Sequence, residues 1–357
     1  MDEKINIVIM AGGTGTRFWP YSRNKKPKQF LDILNTGRSL LQMTYDRFLK
    51  YVAKNQIWIV SNLIYKELIS EQIPDLPSDQ ILLEPSKRNT GPCIAYASYK
   101  IREKDPNALL VITPSDHAIF KPEAFLKVIQ NAVDCAADSK KLLTIGIKPH
   151  RPETSYGYIQ YSPSNSIANK VKTFIEKPDI DLAKKFIETG EFVWNAGIFI
   201  WSVAAIIEAF EKHQKELADL FADGQTHYGT NEEASFIEKA YSHCKSISID
   251  YAIMEKADNV FTILGDFGWS DLGSWNALHE LKEKDADNNI VESTALLYNS
   301  KSNYIKSKKE KLVIISDLDG YLVADFEDVL LICKKDNAAK FKSFVNDVKA
   351  TKGDYFI

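Results

Sequence analysis

Cysteine is scarce in this sequence and scattered. Cys93, Cys135, Cys244 and Cys333 are its only four, with no CxxC pair among them. That spacing excludes a zinc ribbon and a disulfide scaffold, and reduced thiols are the expectation. No apolar run is long enough for a membrane span; Ile5–Met10 is far too short and has no signal-peptide layout before it. Charge of one sign is also missing. The 45 Lys+Arg against 48 Asp+Glu leave −3, which argues against a whole-surface binder of long polyanions. Glycine thins out late in the chain, with only Gly320 and Gly353 after Gly273, so a regular glycine-marked hexapeptide β-solenoid is not written. What is present is a globular mix, 45% hydrophobic and 26% charged over 357 residues. That length exceeds the roughly 250–300 residues at which one core stops growing, so a large domain plus a small one is expected.

The first half alternates short apolar runs with amphipathic stretches. Ile5–Met10, Ile57–Val60, Ile81–Leu83 and Ala108–Thr113 read as strands, and Ser39–Lys54 and Pro92–Lys104 as helices. Continuous apolar strands separated by helices describe a parallel sheet covered on both faces. The expected fold is therefore α/β, a Rossmann-like doubly wound, mostly parallel sheet. Further strands are expected at Tyr158–Tyr161, Val171–Ile175 and Ile198–Trp201, with helices at Val203–Lys212 and Asp250–Lys256. A polar run at Asp285–Asn289 suggests a boundary, giving domains 1–287 and 288–357. The second reads as β-rich, with segments around Leu296, Ile305, Leu312–Ile315, Tyr321–Val323 and Val329–Cys333, and a terminal helix near Asp336–Lys349.

The richest stretch begins where the first strand runs into Ala11-Gly12-Gly13-Thr14-Gly15-Thr16-Arg17. Such a loop exposes backbone amides without side chains in the way and can approach phosphates or a base closely. It is not the dinucleotide fingerprint, since the third glycine position holds Phe18, and no Gly-Lys-Ser/Thr follows to make a Walker loop. Between Lys4 and Asp32 stand Arg17, Arg23, Lys25, Lys26 and Lys28 and no carboxylate. Arg17 and Lys28 are the candidates for gripping phosphate, Arg bidentately and Lys as a point charge. Lys25 and Lys26 read as solvated loop cations. Asp116, just past the strand Ala108–Thr113, lies where open α/β sheets gather ligands, and its alternative is capping the next turn.

Gly-Gly-Thr-Gly-Thr-Arg, followed by Trp19-Pro20, Ser22-Arg23 and Pro27-Lys28-Gln29-Phe30, resembles the signature of the mannose-1-phosphate guanylyltransferases, within the sugar-1-phosphate nucleotidylyltransferases. Gly268-Trp269-Ser270-Asp271-Leu272-Gly273-Ser274-Trp275 resembles the same branch. The resemblance implies that Arg17, Lys28, Asp116 and Asp271 are catalytic, and that Asp116 and Asp271 hold Mg²⁺ or another divalent cation. It implies a nucleotide site at Ala11, Gly12, Gly13, Thr14, Gly15 and Thr16, with Glu84, Asn89 and Thr90 of the loop Leu83–Pro92 near the base or ribose. Capping of the next helix is the plainer role for Asn89 or Thr90. Three more segments match sugar-site positions and imply roles for Gly157, Glu176, Lys177 and Asn195. Glu176-Lys177 alone would be an ordinary surface ion pair. Ser248–Lys256 also resembles the family, but its apolar spacing reads as a core-packed helix, and it is kept out of the site.

The implied reaction takes GTP and mannose 1-phosphate to GDP-mannose and pyrophosphate, in the cytoplasm, with no nucleic acid or membrane partner. A homodimer joined through the β-rich tail is expected. Another sugar or base is the nearest alternative, and a non-catalytic regulatory subunit a distant one, since every candidate catalytic side chain is present. Some bifunctional relatives carry a phosphomannose isomerase cupin after the transferase; residues 288–357 are too few for one.

Overall fold

The structure, a computed structural model, describes residues 3–13, 15–137, 139–335 and 338–357. Thr14, one of the expected nucleotide-site residues, lies outside the described residues. The chain forms two compact units. The first comprises residues 1–12, 42–115 and 119–269, and the second 13–41, 116–118 and 270–357. The expected boundary at 287/288 falls inside the second unit, which also takes two pieces from the first half of the sequence.

The first unit is built on one nine-stranded mixed sheet. Its strands are β1 (Ile5–Met10), β2 (Ile57–Asn62), β3 (Ile81–Glu84), β4 (Leu109–Pro114), β5 (Leu142–Ile147), β6 (Tyr158–Ser162), β7 (Asn169–Ile175), β8 (Phe192–Ser202) and β9 (Val260–Gly265). They lie in the order β3-β2-β1-β4-β8-β5-β9-β7-β6, with β6 also pairing β8. The first four are mutually parallel, with Ile7 opposite Ile57 and Val111. β1 has Ile7, Val8 and Ile9 fully buried, which is why these strands read as unbroken apolar runs.

The sequence pattern located β1 to β4, β6 and β7 to within a few residues and did not single out β9. It found only the end of β8, because Trp194-Asn195-Ala196-Gly197 looks like a loop. That stretch stays in the sheet through an irregular register against β5 between Thr144 and Gly146. The helix expected over Ser39–Lys54 runs only from Leu40 to Leu49, and Pro122–Ala137, Ile180–Thr189 and Glu233–His243 are helices the pattern did not single out. Residues Asp250–Met254, expected as part of an α-helix to Lys256, form a single π-type turn. The main core lies among the helices Thr90–Lys104, Val203–His213, Lys215–Ala222 and Glu233–His243, where Tyr99, Phe210, Phe221 and Tyr241 are fully buried. Among the described residues no helix is long and apolar enough to cross a membrane.

In the second unit, β10 (Ile290–Glu292), β12 (Tyr304–Lys306) and β14 (Tyr321–Phe326) stack in parallel, and β15 (Val329–Lys334) adds antiparallel to β14. β11 (Thr294–Tyr298) pairs in parallel with β13 (Leu312–Ser316). Successive strands thus coil on one another without regular glycines. The left-handed turn positions among these strands are filled by Asn288, Asn299, Ser302, Asp317 and Glu327, with Gly320 the one glycine among them. Asn and Asp tolerate that conformation better than other side chains. Buried Asn289 accepts from the backbone of Asn303, and Asn303 in turn from the backbone of Tyr321, replacing turn hydrogen bonds with a side-chain ladder. The helix Ala338–Lys352 closes the unit; Asp336, where the sequence suggested its start, lies outside the described residues.

Candidate active site

The residues on the C-terminal side of the glycine loop hold it in place. Gly15 has φ +62, the left-handed region that favours glycine, and caps the turn Thr16–Phe18. A Cβ at Gly15 would fall 2.4 Å from Cβ of Lys28, so glycine is needed there both for conformation and for space. Lys28 is thereby pressed against the loop, with only 5% of its surface exposed. Its ammonium donates to Asp116 Oδ2 at 2.9 Å and to the main-chain oxygen of Asp271 at 2.6 Å. Three residues far apart in sequence meet here within the second unit.

Trp275 anchors the far segment. Fully buried, it packs against Phe18 at 5.3 Å between ring centroids, and its indole donates to the Trp19 carbonyl. Asp271 is oriented locally, Oδ1 accepting from the Gly273 amide at 2.8 Å. A Cβ at Gly273 would lie 2.4 Å from the other carboxylate oxygen, so a larger residue would push the carboxylate aside. Asp116 is partly exposed, and His117 Nε2 lies 4.0 Å from it. Burial alone would raise its pKa, but the Lys28 ammonium, with His117 beside it, outweighs burial and holds the carboxyl below its ordinary range. Arg17 is exposed on the turn Thr16–Phe18, with no ion pair among the described residues.

The donor chemistry suits a hard divalent cation. Asp116 and Asp271 supply carboxylate oxygens from two residues tethered to one ammonium, and the Gly273 cradle leaves room for the second carboxylate. Among the described residues no group of three or more His, Cys, Asp or Glu side chains is arranged to hold a metal. Two carboxylates completed by phosphate and water oxygens are the usual surroundings of magnesium, whereas a closed protein cage is not.

In the first unit, Glu84 ends β3 as a buried carboxylate, 6% exposed. Its Oε1 accepts from the Tyr241 hydroxyl at 2.9 Å, and its Oε2 would lie 3.5 Å from a Cβ at Gly12. Burial pushes its pKa up to about 7, against the smaller lowering by the Tyr241 hydrogen bond. Asn89 sits at φ +67 and caps the helix Thr90–Lys104, its side chain accepting from the Thr90 amide. The Thr90 hydroxyl accepts from the Ile249 amide at 2.9 Å. These two side chains therefore fasten the loop. Ala11 is fully buried, its amide bonded to the Val60 carbonyl.

A second cluster in the same unit gathers Gly157, Glu176, Lys177 and Asn195. A Cβ at Gly157 would come 2.6 Å from Glu176 Oε2, and Lys177 Nζ lies 2.6 Å from Glu176 Oε1. Lys177 occupies φ +50, a strained setting of the kind that collects at functional sites. Asn195 uses its carbonyl oxygen internally, accepting from Thr144 and the Gly197 amide, and its amide donates to Asp250 at 3.0 Å. Asp250 is the residue that sequence reasoning passed over. Burial and the negative charge of Glu176 both raise its pKa, so two carboxyls face one small region. The resemblance of Ser248–Lys256 was the available signal; the apolar neighbours Ala252, Ile253 and Met254, all buried, hid it.

The family model for nucleotidyl transferases matches residues 6–288. The chain is 32% identical to a mannose-1-phosphate guanylyltransferase of Escherichia coli over 97% of its own length and 76% of the relative's. It is 35% identical to a protein of the same name from Sinorhizobium fredii, over 98% of this chain and 69% of that one. The crystal structure described as mannose-1-phosphate geranyltransferase from Thermus thermophilus superposes with a TM-score of 0.86 at 28% identity, covering 97% of this chain and 99% of that one.

Proposed function

The chain belongs to the nucleotidyl transferase family, and on that premise we propose that it transfers GMP from GTP to α-D-mannose 1-phosphate. An oxygen of the sugar phosphate attacks the α-phosphorus in line, a new P–O bond forms, and the bond to the leaving pyrophosphate breaks. GDP-mannose is the product. The observation that carries the reading is Lys28, a buried ammonium fixed between Asp116 and the Asp271 main chain and wedged against Gly15. No side-chain nucleophile is required, because a phosphate monoester is already anionic near neutral pH. The protein's part is to position two polyanions and neutralise the charge that develops between them.

Lys28 then serves the α-phosphate and Arg17 the departing pyrophosphate, with Gly12, Gly13, Gly15 and Thr16 offering main-chain amides to the triphosphate; Thr14 belongs to the same proposed site but lies outside the described residues. Asp116 and Asp271 would hold Mg²⁺ or a similar cation. When bound, that ion supplies neutralisation of phosphate charge. Glu84 is an acceptor for the donor edge of guanine, with Asn89 and Thr90 holding the loop beside it. Glu176, Lys177 and Gly157 receive mannose 1-phosphate, with Asn195 orienting Asp250 as a further hydroxyl acceptor. The parallel half of the large sheet supports a Rossmann-like description of the first unit, and the cytoplasm is the location proposed for a reaction that uses GTP and a sugar phosphate.

A homodimer is supported by one exposed apolar face in the second unit. Leu296, Tyr298, Leu312 and Ile314 project from β11 and β13, each 48–62% exposed, with Leu296 opposite Ile314. Burying such a face against a second copy fits the apolar character of obligate interfaces.

The deciding assay is pyrophosphate release with mannose 1-phosphate or glucose 1-phosphate, each paired with GTP, ATP and UTP. GTP with mannose 1-phosphate is expected to give the highest kcat/KM. Equal or faster turnover with another pair would refute the specific assignment and leave only nucleotidyl transfer.

A further inference from the structure

Two buried side chains downstream of the glycine loop reach back to its carbonyl oxygens. Ser22 Oγ donates to the Gly15 carbonyl at 2.6 Å, and Gln29 Nε2 donates to the Gly13 carbonyl at 2.9 Å. Ser22 is 3% exposed and Gln29 1%. Hydrogen bonds so sheltered are stronger than at the surface, and breaking one leaves an expensive buried polar atom.

The geometry gives these contacts a direction. In a trans peptide the carbonyl of one residue and the amide hydrogen of the next point opposite ways. Holding the Gly15 carbonyl towards Ser22 therefore turns the Thr16 amide away from it, to the side where a ligand can meet it. The Phe18 amide also donates to the Gly15 carbonyl, at 2.9 Å, so that oxygen is held by two donors. The amides of Gly13, Gly15 and Thr16 have no acceptor among the described residues. Glycine peptides left to themselves sample many orientations, and a ligand that must first order them binds less tightly. A phosphate nest works best when its amides are already aligned.

From these contacts we infer that Ser22 and Gln29 are positioning residues for the nucleotide. They hold the glycine loop in its phosphate-receiving form from behind, without touching substrate. The inference rests on the reading of this loop as the triphosphate site. It explains why a serine and a glutamine, neither reactive here, stand buried beside Lys28.

The test compares Ser22→Ala, Ser22→Thr and Gln29→Leu with wild type in steady-state kinetics. It uses whichever nucleoside triphosphate and sugar phosphate the wild type turns over best, so a wrong base or sugar leaves the comparison intact. Ser22→Ala and Gln29→Leu are each expected to raise the triphosphate KM roughly three- to tenfold, the equivalent of one lost hydrogen bond, while the sugar-phosphate KM stays within about twofold. Ser22→Thr, which restores a hydroxyl, is expected to recover most of the loss. Unchanged triphosphate KM in variants that melt with wild type overturns the inference. So do equal rises for both substrates, or failure of threonine to rescue. If Gln29→Leu does not fold, the Ser22 pair decides alone. A wild type that turns over no pair refutes the proposed reaction instead, and the same ratios are then read from binding of inorganic tripolyphosphate.

Discussion

Glu84 shows how much a single residue can carry that its neighbours in sequence do not announce. In the sequence it lies in the polar loop Leu83–Pro92 between strand and helix, where only the resemblance implies a place near the base or ribose. In the fold it is buried under Gly12 with Tyr241 on one oxygen, and Cys93 and Tyr96 lie close enough to feel its charge. Its pKa of about 7 in the folded protein stands above its ordinary value of 4.5. Between those values the folded state binds more protons than the unfolded one, so this group's contribution to stability falls as pH rises through that window. The ionised form at pH 8 is then a burden of up to about 3 kcal/mol. Glu84→Gln removes the burden, so the melting temperature of the variant relative to wild type, without nucleotide, is expected to rise steadily from pH 5 to pH 8. A difference that stays flat with pH would mean that the carboxyl ionises normally. Nucleotide affinity is expected to fall in the same variant, because an amide presents a donor beside guanine's own donors. Lys28 and Asp116 were legible because charge pattern, glycine loop and strand end coincided. Asp250 was not, since the apolar neighbours Ala252, Ile253 and Met254 make its segment read as a core-packed helix.

At the scale of elements, the helices Thr90–Lys104 and Glu233–His243 meet through a buried ion pair. Lys100 Nζ lies 2.6 and 2.7 Å from the two oxygens of Glu233, which also accept from the Tyr96 hydroxyl and the Gly229 amide. The first helix begins at the Asn89–Thr90 loop, and the second carries Tyr241, the partner of Glu84. Glu233→Leu leaves the Lys100 ammonium buried without its counter-charge and is expected to reduce unfolding free energy by about 3–5 kcal/mol. The double variant Lys100→Met, Glu233→Leu is expected to lose less than Glu233→Leu alone, because no charge is stranded. Urea denaturation of Glu233→Leu, Lys100→Met and the double variant checks this, and strict additivity would count against the pair acting as a unit. The sequence pattern could not foresee this join. Lys100 falls in a stretch whose apolar spacing marks a helix, but a pattern reports which face is buried and not which charge on that face has a partner. Most of β8 was hidden differently, because Asn195 and Gly197 interrupt an otherwise apolar strand, whereas the helix Pro122–Ala137 carries a regular buried spacing at Phe125, Ile129, Val133 and Ala136.

For the molecule as a whole, periodicity along the chain identifies elements in order, whereas the units are defined by contacts between distant segments. The second unit joins residues 13–41 to 270–357, and the Trp19 indole donates to the Phe356 carbonyl at 2.8 Å across 337 positions. No local pattern encodes such a contact, and for that reason the polar run at Asp285–Asn289 looked like a boundary although the unit continues on both sides of it. The terminal helix Ala338–Lys352 packs on the turn Thr16–Phe18, which carries Arg17. Phe341, 1% exposed, is its main buried residue. If this helix supports the turn, weakening its packing must reach the triphosphate site without altering any residue there. Phe341→Ala is expected to destabilise the protein by about 3–5 kcal/mol through the cavity it leaves. Trp19→Phe keeps an aromatic ring but removes the donor to Phe356 and the volume of the indole's second ring, and is expected to lose about 2 kcal/mol. Both should raise the triphosphate KM, Phe341→Ala more than Trp19→Phe, with the sugar-phosphate KM little changed. Thermal melts and steady-state kinetics on the two variants measure both effects. A Phe341→Ala protein that melts several degrees lower yet keeps its triphosphate KM would mean that the helix stabilises the unit without shaping the loop.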